Sequence, residues 1–181
     1  MLVKSKSKRL PGKNLKDWKG EPMFLVNLKK CFSLFPKTYV SSDSEEILDL
    51  AQKEGAIPIL RGEELCGDVP NITVYKHALQ FMDCSGIVAV QANSPNVKLK
   101  TIETVKNLLE MGYDEIMTSH PTEHKKDYHA QNLKIYGSVW GLSRERLLGY
   151  GNPYRPNPQV LVVDESIDIE TEEDYNKSLW L

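Results

Sequence analysis

Apolar positions along this chain fall into two alternating kinds of segment. Nearly continuous apolar runs occupy residues 2–3, 38–42, 56–60, 86–91, 115–119 and 159–163, and their aliphatic and β-branched content suits strands. Between them, apolar residues recur three and four apart, the period of a helix with one face on a core. That spacing predicts helices from Met23 to Phe32, from Ile47 to Ala51, from Ile72 to Met82, from Thr101 to Leu109, and over residues 171–181. Pro22 suits a first helical turn and Pro36 a stop, while Gly55 and Gly112 suit helix ends. Asp43 with Glu46 three residues on resembles a capping box, which makes Asp43 an expected N-cap. Pro58 marks its strand as an edge strand. Residues 86–91 read as a strand buried on both faces.

Residues 61–69 and 149–158 lack either period and read as loops, and residues 120–132 are polar and histidine-rich, an excursion from the sheet. Residues 133–142 read as a hairpin or two short strands. Strands alternating with helices at this spacing give an α/β fold with a mainly parallel, doubly wound mixed sheet. Such sheets take ligands at the carboxyl ends of their strands, here the loops after residues 3, 42, 60 and 91. The 181 residues are expected to make a single domain, 1–181, with 120–158 as its variable stretch.

Charge sharpens this picture more than composition does. The net charge is only −2, but it is polarised. Nine lysines and arginines against Asp17 and Glu21 give residues 1–30 a balance of +7, whereas residues 164–174 hold seven acids and no base. A loop with Lys4, Lys6, Lys8, Arg9 and Lys13, leaving a strand and leading to a helix, is an arrangement that cradles polyphosphate. Taken alone it reads equally well as a loose basic arm touching nucleic acid. If the two ends meet across one site, the basic side holds phosphate and the acidic side a divalent cation. No apolar run approaches the roughly 20 residues of a membrane span, and the opening segment lacks a secretory pattern. Cys31, Cys66 and Cys84 are widely spaced, which argues against a disulfide framework or zinc ribbon and for a reducing cytoplasm.

Five motifs stand in order at expected strand ends: Ser7-Lys8 with Leu10-Pro11-Gly12-Lys13-Asn14, Val40-Ser41-Ser42-Asp43, Leu60-Arg61-Gly62-Glu63-Glu64-Leu65, Gln91-Ala92-Asn93-Ser94-Pro95, and Ser166-Ile167-Asp168-Ile169-Glu170. Together they resemble the acylneuraminate cytidylyltransferases, or CMP-sialic acid synthetases, and the related 3-deoxy-manno-octulosonate cytidylyltransferases. The resemblance is good over 1–119 and 159–181 and poor between. It implies a three-layer nucleotide-diphosphate-sugar transferase fold, and an enzyme that moves CMP from CTP to an acidic sugar with Mg²⁺ and releases pyrophosphate. It further implies nucleotide binding by Lys4, Ser7, Lys8, Lys13 and Asn14, and by Arg61 near the cytosine. Gln91 and Ser94 match the substrate-binding loop, and Asp168 and Glu170 match the two acids that hold the metal. Lys13 and Asp168 are the expected catalytic pair. The implied partners are CTP and the sugar, not nucleic acid or membrane, and a homodimer is possible through an arm that is short here. Three departures from the family pattern stand out: extra bulk at Lys6 and Arg9, Glu170 in place of an aspartate, and Asn96-Val97 in place of Leu-Arg.

Plainer roles stand beside these. Arg61 also reads as an exposed loop cation pairing with Glu63 or Glu64, and the late acids as a favourable helix start. His120, His124 and His129 read as exposed or sugar-contacting rather than as a metal site. Trp18, Trp140 and Trp180 read as core or interface anchors, and Cys31 as a small buried hydrophobe. Two other functions stay open: a nucleotidyltransferase for a different sugar or sugar phosphate, and a nucleotide-binding homologue without turnover.

Overall fold

Every strand–helix alternation expected from the apolar pattern is present in the computed structural model, which describes residues 1–121, 129–130 and 133–181. β1 (Leu2–Val3) leads into the basic loop and a 3₁₀ turn at Lys13–Leu15. A small antiparallel ribbon, β2 (Asp17–Trp18) and β3 (Glu21–Pro22), precedes α1 (Met23–Phe32). There follow β4 (Tyr39–Ser42), α2 (Glu45–Lys53), β5 (Ile57–Leu60), a 3₁₀ turn at Glu63–Leu65, α3 (Asn71–Leu79), β6 (Gly86–Val90), α4 (Leu99–Glu110) and β7 (Glu115–Pro121). After β8 (His129–Ala130) come β9 (Leu133–Ser143), α5 (Arg144–Leu148), β10 (Val160–Val163) and α6 (Glu172–Ser178).

Hydrogen bonding groups the strands into two main sheets. One is parallel in the order β1-β4-β5, with Leu2 opposite Ser41 and Val3 opposite Ser42. Pro58 sits, as expected, on its edge strand. The other runs β10-β7-β9-β6, with β7 and β10 parallel and β9 antiparallel to both neighbours. Helix α1 packs Phe24 and Leu28 against Val3, Val40 and Ile47. Ile102 and Val105 of α4 pack against Val90, Ile116 and Val139. Ile169 joins Leu10, Trp18 and Met23 in a further cluster, and Trp18 Nε1 donates to Ser178 Oγ at 2.9 Å. These contacts bring the end of the chain against the basic loop. Among the described residues, no helix is long and apolar enough to cross a membrane.

Three local expectations need correction. Residues 133–142 are neither a hairpin nor two strands but part of one strand, Leu133–Ser143, in the middle of the second sheet. Their glycines look like turn signals but serve close packing. A Cβ on Gly141 would stand 2.9 Å from Val105 Cγ1, and one on Gly137 would stand 3.1 Å from Met117 Cε. The N-cap of α2 is Ser44, whose side chain accepts from the Ile47 amide, and not Asp43. Asp43 is instead drawn to Ser5, accepting from its amide at 2.9 Å and its hydroxyl at 2.6 Å. Trp180 is 91 % exposed and anchors no core, whereas Trp140 and Cys31 are buried as expected.

Glu115 shows how the second sheet holds the 149–158 loop. Its carboxylate is 1 % exposed and accepts from Arg146 Nε and Nη2, Tyr150 Oη and the Asn157 amide. Breaking a buried pair by removing one partner strands a charge, a loss of about 3–5 kcal/mol. Because Arg146 is itself partly exposed, Arg146→Met should lower the urea midpoint by an amount equivalent to the low end of that figure. A change below about 0.5 kcal/mol would show that Tyr150 and the Asn157 amide suffice.

Candidate active site

The loop after β1 is held by its own chain before any ligand arrives. Asn14 Nδ2 donates to the Lys4 carbonyl at 2.8 Å, and Ser7 Oγ accepts from the Leu10 amide. Gly12 takes φ +66°, a turn that an L side chain would strain, and delivers Lys13 into the interior. Lys13 is only 8 % exposed, and its Nζ donates to the Ile169 carbonyl at 2.8 Å and lies 3.3 Å from Glu170 Oε1. Arg9 Nη2 lies 2.7 Å from Glu170 Oε2. On the opposite flank, Lys8 pairs with Asp68 at 3.1 Å and Lys4 donates to the Gly67 carbonyl at 2.6 Å. The positive and negative ends of the chain do meet.

Asn93 completes the acidic side. Its Nδ2 donates to Asp168 Oδ1 and to Glu170 Oε1, the latter at 3.3 Å, and its carbonyl accepts from the Ile169 amide at 2.9 Å. One amide thus gathers two carboxylates. Burial, and next the Glu170 charge, push the Asp168 carboxyl up to about 6, with Lys13 and Arg9 opposing the rise. Such a pair gains from a divalent cation. Among the described residues no group of three or more His, Cys, Asp or Glu is placed to hold a metal ion. Two carboxylates fit a hard cation such as Mg²⁺ when phosphate oxygens and water supply its other ligands.

The walls enclose a cleft of about 920 Å³. Of the residues singled out in the sequence, Lys4, Ser7, Lys8, Lys13, Asn14, Gln91, Asp168 and Glu170 line it. Arg61 and Ser94 do not. Arg61 is 3 % exposed beneath the basic loop, donating to the Val3 carbonyl at 3.1 Å and standing 3.6 Å from Asp43. Its exposed pairing with Glu63 or Glu64 is therefore wrong, because its backbone continues the β4 pairing and turns the side chain inward. Burial works to raise the Asp43 carboxyl, yet the Ser5 hydrogen bonds and the Arg61 charge hold it below its usual range. Ser94 is fully buried, and its carbonyl accepts from Asn27. The far wall carries Met117, Gly137 and Trp140. Gln91 Nε2 donates to Tyr75 Oη at 3.3 Å.

Sequence reasoning counts Arg9 in the cationic loop yet reads it as extra bulk there, passes over Asn93 between Gln91 and Ser94, and gives no site role to Met117 or Trp140. The signal for Arg9 is its charge, since a cation in a basic loop is a candidate for any acidic segment. His124 lies outside the described residues.

Comparisons with known proteins give the chain its family. A family model described as cytidylyltransferase matches residues 2–136. The chain is 31% identical over 134 residues to the 3-deoxy-manno-octulosonate cytidylyltransferase of Francisella philomiragia, covering 72% of this chain and 54% of that protein. It thus spans about half the length of that relative. It is 26% identical over 205 residues to the CMP-N,N'-diacetyllegionaminic acid synthase of Legionella pneumophila, covering 93% and 88%. Among solved structures, a CMP-2-keto-3-deoxy-manno-octonic acid synthetase complexed with CTP superimposes with a TM-score of 0.78 at 14% identity, covering 99% of this chain and 95% of that chain. A Mycobacterium tuberculosis protein in complex with manganese superimposes with a TM-score of 0.68 at 14% identity, covering 99% and 96%. Identities this low speak for the fold alone. The chain belongs to the cytidylyltransferase family.

Proposed function

We propose that the protein transfers CMP from CTP to an acidic sugar, an acylneuraminate or another 3-deoxy-ulosonate, with release of pyrophosphate. The observation that carries this reading is the contact of Arg9 and Lys13 with Glu170, which puts phosphate-binding cations and a carboxylate pair on one cleft. The relatives' names supply the cytidylyl group and the acidic sugar class. Lys4, Lys8, Arg9 and Lys13 bind the triphosphate, and Ser7 and the loop amides donate to it. Asp168 and Glu170 would hold Mg²⁺, which when bound neutralises charge on the phosphates. The sugar hydroxyl attacks the α-phosphorus, its proton passing to solvent, as the bond to pyrophosphate breaks, and Lys13 is assigned to the charge that develops on that leaving group. Such a transfer asks the protein mainly for positioning and charge neutralisation. Gln91, Met117 and Trp140 form the wall assigned to the sugar.

Pyrophosphate release tests this with CTP, UTP, ATP and GTP, each across a panel of acidic sugars with and without Mg²⁺. CTP should be preferred, and turnover should require the metal. Binding of CTP without release under any acceptor would leave a homologue that no longer turns over. A homodimer through the 120–158 stretch belongs to the same reading, and light scattering checks it. So does a cytoplasmic location, which the free thiols of Cys31, Cys66 and Cys84 suit.

A further inference from the structure

Helix α1 reaches the carboxylate pair without touching it. Asn27 is fully buried, and its Nδ2 donates to the carbonyls of Gln91 at 2.9 Å and Ser94 at 2.7 Å. One turn later, Lys30 Nζ donates to Asn27 Oδ1 at 2.9 Å, the Pro95 carbonyl at 2.6 Å and the Val97 carbonyl at 2.7 Å. Four carbonyls of one short loop therefore converge on two side chains, and each ammonium proton has an acceptor. That loop presents Asn93 to Asp168 and Glu170, and it also holds the segment bearing them. The Ile169 amide donates to the Asn93 carbonyl at 2.9 Å, and the Ile167 amide to Asn96 Oδ1 at 3.1 Å.

Setting an ammonium here is costly. Burial pushes the Lys30 amine down to about 8. A methionine would fill the space without that cost, but it would leave Asn27 Oδ1 and the Pro95 and Val97 carbonyls without this donor. An ammonium with three acceptors fixes the directions of three groups at once.

We propose that Asn27 and Lys30 are positioning residues, which grip the 91–97 loop by its carbonyls so that Asn93 keeps Asp168 and Glu170 paired for a divalent cation. The cation is part of the functional reading above, and the positioning role rests on it. Direct contacts to metal ligands typically change metal affinity 10- to 100-fold when removed, and these two residues act one contact further out, through Asn93.

The test compares Lys30→Met, Lys30→Arg and Asn27→Ser with a Lys29→Met control, whose exposed side chain pairs with Glu21 instead. Titration with Mn²⁺ in the absence of nucleotide should show Lys30→Met and Asn27→Ser weakened about tenfold, Lys30→Arg partly restored, and the control unchanged. kcat should fall with Mn²⁺ affinity, while KM for CTP moves less than threefold. Amide hydrogen exchange at Ile167 and Ile169 should accelerate in the same two variants, and this readout needs neither metal nor activity. If wild type binds no Mn²⁺ and releases no pyrophosphate, the functional reading fails and exchange still judges the grip. Should Lys30→Met fail to fold, Asn27→Ser carries the comparison. Variants that only melt earlier, with Mn²⁺ affinity, kcat and exchange at both isoleucines within twofold of wild type, overturn the proposal.

Discussion

Asp168→Asn should abolish metal-dependent turnover while making the cation-free protein more stable. The two effects come from the same carboxylate. Asp168 is half-buried beside Glu170, with Asn93 Nδ2 donating to both. Burial first, and then the Glu170 charge, raise its carboxyl from 3.8 to about 6. An acid raised on folding binds protons more tightly in the folded state between those two values. The folded state therefore loses stability as pH climbs from about 4 to 6, and at pH 7.5 the full cost is present. Allowing for partial solvent screening, that cost is about 1–3 kcal/mol. An asparagine removes it and keeps an oxygen that can accept from Asn93. It also removes one of the two carboxylates proposed to hold the cation, so turnover should drop at least a thousandfold, or about 4 kcal/mol of barrier. Melting curves of both proteins without divalent cation, at pH 7.5 and pH 5, check the first half. The variant's advantage should shrink at the lower pH. Mn²⁺ titration and pyrophosphate release check the second. A variant that melts lower at pH 7.5, or one that turns over normally, would move the strained carboxylate or the metal elsewhere.

How far the sequence foretold this site depended on the range of the forces involved. Strands and helices were legible because their periods are local, and Gly55 and Gly112 do take the positive φ that closes α2 and α4. Leu133–Ser143 misled because Gly137 and Gly141 are small for the sake of Met117 and Val105, residues far along the chain. Opposite charge between the two ends of the chain was legible as composition. Their contact was not, since nothing local says that Arg9 will find Glu170. Asp43 looked like a cap because the residues after it fit one; the competitor, Ser5, lies 38 positions away. Arg61 and Ser94 teach the converse. Both belong to motifs that converge on the cleft, but their side chains lie beneath it. A motif match located the loops, and only packing decided which of their residues face the ligand space.

Lys13→Met should cost 100- to 1,000-fold in kcat/KM, or about 3–4 kcal/mol, a loss typical of one preorganised donor at developing charge. The structure gives a reason to expect the high end of that range. Lys13 is the most enclosed cation of the loop, and the Ile169 carbonyl fixes its ammonium at 2.8 Å while Glu170 Oε1 stands at 3.3 Å. It is therefore oriented in advance of any ligand, and little side-chain freedom remains to be lost on binding. Lys8 offers the contrast. It and its partner Asp68 are both largely exposed, with side chains 86% and 89% accessible. Solvent and salt screen such a pair, so Lys8→Met should cost less than tenfold and lose most of even that effect at high ionic strength. Steady-state kinetics of the two variants at low and high salt separate the cases. An equal loss at both positions would mean that the loop acts as a diffuse cloud of charge. A large, salt-resistant loss at Lys13 alone would mean that one ammonium, set between the acidic segment and the substrate, does most of the loop's electrostatic work.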